Sequence, residues 1–203
     1  MVLLSLGGLH TVRMERQLQA TALERDKAQA VADHFVTTFQ ATTPNAARNG
    51  DITARELLAH ARQRLLDDTT TEKSPASRAS LLLALARAHH DLSLETEAVE
   101  LSETAVNLLR NGDDAFALAD ALRVAAGANY ALNRNDAFIR QTRQALQTLE
   151  AAGETDNALY PRLLDNVGFT WFLEGDFQRA WAYKDRGLAI AAARLPQSRP
   201  EYV

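Results

Sequence analysis

The 203-residue sequence predicts an all-α protein, a right-handed helical-repeat solenoid preceded by an N-terminal helical stalk and helix pair. Three observations lead there. Glycine and proline are sparse, 9 and 5 residues, while the good helix formers Ala, Leu, Arg and Gln abound. Apolar residues recur at helical spacing along the long segments. Three stretches of the second half also align with one another without gaps through their first halves, the mark of a repeat architecture.

The chain opens on MVLLSLGGLH, apolar but without the basic flank and small-residue cleavage site of a signal peptide. It is too short to cross a bilayer, which takes about 20 residues. Residues 1–11 therefore read as an apolar stub, either a frayed start or the last turns of a membrane helix that begins upstream. TVRMERQLQATALERDKAQAVADHFVTTFQ follows with neither Gly nor Pro. Its first half, with Met14, Leu18 and Ala22, reads as a solvated stalk or weak coiled coil. In its second half Ala28, Val31, Phe35 and Phe39 share one face.

Pro44 and Gly50 break that helix, and Thr53 with Glu56 three residues on forms a capping box for the next. Leu57, Leu58, Ala61 and Leu65 are its apolar stripe. The polar link DDTTTEKSP then delivers Ser74 as N-cap and Pro75 as first helical residue. Residues 12–73 accordingly form the stalk and helix pair.

Residues 74–203 hold three helix–turn–helix units, about 75–112, 113–154 and 155–195, and a short tail. The aligned anchors are Leu82, Leu122 and Leu164, then Ala86, Ala126 and Gly168, at steps of 40 and 42 residues. His89, Asn129 and Trp171 come next, followed by the turn residues Ser93, Asn133 and Gly175. The second helices align at Ala98, Phe138 and Ala180, and again at Ala105, Ala145 and Gly187. Small residues are expected where the two helices of a unit touch. Trp171 and Phe177 are expected to pack, with Gly175-Asp176 as turn and N-cap.

Composition narrows the function. A net charge of −4 leaves no basic footprint for nucleic acid, and the absence of cysteine removes thiolate chemistry and zinc knuckles. Of five histidines, His89 and His90 are adjacent, about 100° apart on a helix, so they cannot chelate one ion. His34 and His60 read as a surface or half-buried pair. Asp113-Asp114 reads as a helix cap and Asp67-Asp68 as a solvated helix end. No G-x-S-x-G elbow, phosphate loop or kinase motif is present. No catalytic residue, metal site or cofactor is expected.

A small residue, an aromatic three positions on, a Gly-Asp-aromatic turn and a further Ala make the third unit resemble the tetratricopeptide repeat (TPR). Leu164, Val167, Gly168, Trp171, Gly175, Asp176, Phe177 and Ala180 carry the likeness. The first two units depart from it, with His89 and Asn129 at the aromatic position and Phe138 in place of a small residue. Their length exceeds the usual ~34 residues, as in kinesin-light-chain-type repeats. Upstream, residues 24–65 resemble the juxtamembrane segment of bacterial membrane-anchored serine/threonine kinases with C-terminal TPRs. The matching pieces are His34-Phe35-Val36 with Phe39, Thr43-Pro44-Asn45, and Thr53 to Leu58.

The resemblance implies a non-catalytic protein-interaction scaffold, the partner-docking or sensor region of a bacterial signalling protein. Two alternatives stand beside it: a free-standing TPR adaptor with no membrane or kinase link, and a helical-repeat enzyme. In TPR stacks the first helices line a groove for a protein or peptide. By repeat position the groove residues are Leu83, Arg87 and His90, then Asp120, Arg123 and Tyr130, then Arg162, Asp165, Phe169 and Phe172. Leu83 and Val124 depart from the carboxylate clamp of chaperone-binding repeats, which disfavours that specific function. The last helix leaves Trp181, Leu188 and Ile190 without a following unit, which implies either further repeats lost from this chain or burial in a dimer, and self-association through it is an expectation. The chain reads as soluble as given, with membrane attachment expected only if the stub continues upstream.

Overall fold

The computed structural model describes residues 53–67 and 74–194. The stub, the stalk with His34, Asp68 and the tail lie outside the described residues. Seven helices and no strand occur among the described residues: α1 (Ala54–Asp67), α2 (Pro75–Asp91), α3 (Glu95–Leu109), α4 (Ala115–Ala131), α5 (Asn135–Ala151), α6 (Leu159–Leu173) and α7 (Phe177–Arg194). The chain falls into two compact units, Met1–Leu85 and Ala86–Val203, with the boundary inside α2.

In the first unit, α1 starts on the expected capping box. The Thr53 N–H and the Thr53 hydroxyl each donate to Glu56 Oε2 at 2.9 Å, and the Glu56 N–H donates back to Thr53 Oγ1 at 3.2 Å. The two bonds to the ionised carboxylate, the backbone one first, lower the Glu56 pKa. Leu58, Ala61 and Leu65 are buried as the stripe requires. At the other end Arg78 donates to the Leu65 carbonyl at 3.2 Å, serving one of the carbonyls a helix terminus leaves unpaired. Ser74 caps α2 by accepting the Ser77 N–H at 3.1 Å, and Pro75 occupies the first turn, where no N–H is missed.

In the second unit, neighbours in sequence are neighbours in space: α3 packs on α4, α4 on α5, α5 on α6 and α6 on α7. The helix-to-helix turns are copies of one another. Ser93, Asn133 and Gly175 all adopt positive φ, at 57°, 58° and 81°. In each, the next residue's N–H reaches back five residues: Leu94 to the His89 carbonyl, Arg134 to Asn129, and Asp176 to Trp171. This is the Schellman ending, which satisfies carbonyls the helix leaves open. The sequence alignment of 89, 129 and 171 thus has a backbone cause.

The small residues do what their alignment implies. Ala98, Ala105 and Ala145 are fully buried. A Cβ on Gly168 would lie 2.9 Å from the Ala180 carbonyl oxygen, and one on Gly187 3.0 Å from that of Pro161. α6 and α7 therefore approach at backbone distance in two places. Asp114 caps α4 by accepting the Ala117 N–H at 2.8 Å, and Asp176 accepts the Arg179 N–H at 3.0 Å.

Candidate partner-binding face

The first helices of the second unit, α4 and α6, carry two chemically distinct zones. The charged zone centres on Asp120. Its carboxylate accepts from the Arg87 guanidinium of α2 and from Nε and Nη2 of Arg123, at 3.1 and 2.8 Å. One carboxylate thus holds two guanidiniums side by side, and the set keeps a net positive charge with donors to spare. Arg162 is exposed on α6, and Asp165 accepts from Lys184 of α7. A cleft of about 520 Å³ lies here, bounded by Arg123, Pro161, Arg162, Asp165, Lys184 and Leu188.

The aromatic zone begins at Tyr130, whose ring meets Phe138 at 5.0 Å and Phe169 at 5.5 Å between centroids. Phe169 stacks on Phe172 at 6.2 Å, and Phe172 meets Phe177 edge-on at 5.5 Å. Five rings from four helices form one continuous run, with Tyr130, Phe172 and Phe177 exposed. Offset and edge-on pairs of this kind hold one another in place while leaving faces open to a ligand.

Three expectations are corrected. Leu83 is buried and offers nothing to a groove. Phe177 is 56% exposed rather than packed, because the turn before it aims its ring at Phe172 on the open side of the helix pair. Trp171 is only half-buried: Arg143 and Arg179 cover its faces at 3.8 and 4.5 Å from the ring centroid, so cations take the place of apolar neighbours. His90 is exposed but already paired, its Nδ1 2.7 Å from Glu95 Oε2 at the turn into α3. His89, by contrast, is buried as its repeat position demands, and His60 bonds its own helix at the Glu56 carbonyl.

Of the positions expected from sequence, the structure joins Arg87, Asp120 and Arg123 into one zone and Tyr130, Phe169 and Phe172 into another. Repeat position does not nominate Phe138 and Phe177, which complete the run, Phe138 buried behind it and Phe177 exposed. A signal for both is present: each lies in the first turn of a second helix, opposite the end of a first helix that carries an aromatic residue. Among the described residues no three His, Asp or Glu side chains gather as metal ligands, and no helix is long and apolar enough to cross a membrane.

Tyr160 is the one deeply buried tyrosine of the described residues. Its hydroxyl donates to Glu150 Oε1 at 2.9 Å and accepts from Arg186. Burial, then the Glu150 carboxylate, pushes its pKa up, while Arg186 opposes the shift. It ties α5, α6 and α7 together and lies below the face rather than on it.

Solved structures with a similar fold exist. A putative kinesin light chain with nearly identical TPR-like repeats from Podosopora anserina is 17% identical, with a TM-score of 0.59 over 84% of this chain and 78% of that one. Aspartyl phosphate phosphatase F from Bacillus subtilis is 18% identical, with a TM-score of 0.60 over 92% of this chain, which spans only 49% of that protein. No family model matches the sequence, and no curated protein matches it either. At such identities the likeness establishes the fold: this chain has a TPR-like helical-repeat fold.

Proposed function

We propose that the chain is a non-catalytic scaffold that binds a protein or peptide segment on the α4–α6 face. The observation that carries this reading is the five-ring aromatic run beside the Arg87–Asp120–Arg123 set. Aromatic residues and Arg are the types that dominate binding energy at protein interfaces. Apolar side chains of the partner pack on Tyr130, Phe169, Phe172 and Phe177. Its acidic groups meet Arg87, Arg123 and Arg162, whose guanidiniums suit carboxylates. His90 and Asp165 frame the site, each already held by a neighbour within the chain. Residues 75–112, 113–154 and 155–195 are assigned as the three repeats that build it.

The test is affinity capture with the intact chain and with Arg123→Glu/Phe172→Ala, both checked for unchanged helix content. The double variant is expected to lose specific partners by about tenfold or more. Equal capture of the same proteins by both forms rejects the face as the binding site.

The narrower reading, a docking or sensor region of a bacterial membrane-anchored serine/threonine kinase, rests on the resemblance of residues 24–65. Its check is the genomic region upstream of Met1, where a reading frame encoding a membrane helix and kinase motifs supports it and an unrelated gene removes it.

A further inference from the structure

Gly127, Gly168 and Gly187 lie inside helices of the second unit. A glycine there costs stability relative to alanine and is expected where another backbone comes close. For Gly168 and Gly187 the close backbone belongs to this chain, since a Cβ would lie 2.9 Å from the Ala180 oxygen and 3.0 Å from that of Pro161. Gly127 has no such neighbour. It stands in the regular helix of α4, which needs no positive φ, and a Cβ there would meet nothing within 4 Å. Neither packing nor backbone conformation among the described residues explains it.

Its place on the face does. By repeat position Gly127 is the counterpart of Arg87 and Phe169. Along α4 it lies one turn from Arg123 and one turn from Tyr130, on the same side of the helix. The junction of the charged and aromatic zones is therefore a residue without a side chain. Arg87 is drawn to Asp120, and Tyr130 to Phe138 and Phe169, so neither fills the gap. What results is a notch floored by helix backbone, with cations at one end and rings at the other. Arg123 and Tyr130 bound it at about 10.5 Å along the axis, from the rise per residue of a helix. A second α-helix with its side chains, about 10–12 Å across, is too wide to enter, whereas an extended chain needs only about 4.8 Å.

We infer that Gly127 is a specificity-determining residue of the face, and that the notch it leaves admits the main chain of an extended partner segment. The segment crosses α4 against the bare helix backbone, with its acidic groups on the Arg123 side and its apolar groups on the Tyr130 and Phe169 side. Any side chain at 127 stands in the path of that main chain. The inference rests on the α4–α6 face being the binding site, and adds which residue sets the fit and what conformation the partner takes.

The probe is a phage-displayed library of random linear peptides selected on the intact chain, keeping sequences that bind it and not Arg123→Glu/Phe172→Ala. The peptides are synthesised and titrated by fluorescence anisotropy into the parent, Gly127→Ala and Gly127→Gln, with urea unfolding read alongside. Both substitutions put good helix formers in a helix interior, so both variants are expected to unfold at higher urea than the parent. Affinity is expected to move the other way, about threefold weaker for Gly127→Ala and about tenfold or more for Gly127→Gln, the scale of overpacking a filled site. A glycine with only a structural role does not give opposite signs. Full affinity for Gly127→Gln, or a gain of helical circular dichroism when the peptides bind, overturns the inference and leaves the face as the binding site. Lower stability in both variants overturns it as well, because a neighbour within the chain then occupies the notch. If no peptide distinguishes the parent from Arg123→Glu/Phe172→Ala, the face itself is rejected and the inference falls with it.

Discussion

Two glycines show how much a single side chain decides here. Gly168 and Gly127 both sit in first helices, one repeat apart to within a residue. A Cβ at 168 would press to 2.9 Å on the Ala180 carbonyl oxygen, whereas at 127 it would meet nothing within 4 Å. Gly168→Ala is expected to cost about 1–3 kcal/mol by forcing α6 from α7. Gly127→Ala is expected to add about 0.5–1 kcal/mol by removing unfolded-state freedom from a helix interior. Urea unfolding of the two variants reads both signs. Sequence alignment marks Gly168 as a contact position but says nothing about Gly127, because free space around a helix is set by its neighbours.

Tyr160 adds a pH dependence at the same scale. Its pKa is raised in the folded state, so its contribution to stability is fully present below the ordinary tyrosine value of about 10 and is lost as pH rises through the raised folded value. The melting temperature should therefore fall at alkaline pH, and Tyr160→Phe should flatten that fall. An equally steep fall in the variant assigns it to other groups.

At the scale of elements, the chain's helix boundaries are set by short-range chemistry. Asp114→Ala removes the acceptor for the Ala117 N–H and is expected to cost about 1 kcal/mol in urea unfolding. Glu56 behaves oppositely to Tyr160. With its pKa lowered, the stabilisation it lends α1 is present above the ordinary glutamate value and is lost as pH falls through the lowered folded value. Helix signal from α1 should therefore decline in acid, a decline that Glu56→Gln removes. The capping box, the Ser74-Pro75 start and the three positive-φ turns are all legible in the sequence, since each depends on residues within five positions of one another. The ring of Phe177 is not, because its exposure depends on how the turn presents it to Phe172 on another helix.

For the whole molecule, the repeat alignment anticipates the TPR-like fold, and the zones of the α4–α6 face emerge only when α2, α4, α5, α6 and α7 are brought together. Residue type and repeat position nominate Arg123 and Phe172. They do not say that Asp120 bridges two arginines, nor that five rings join. Phe177→Ala should weaken partner capture while leaving stability within about 0.5 kcal/mol of the parent, since its ring is 56% exposed. Loss of stability instead of capture would make it a packing residue.

The sequence by itself determines the helices, their caps, their turns and the small residues between them, because these follow from local backbone chemistry repeated three times. Tertiary contact decides which aromatic residues face outward and which arginines share a carboxylate. Those outcomes depend on side chains from different helices competing for the same space, and no spacing within one segment encodes that competition.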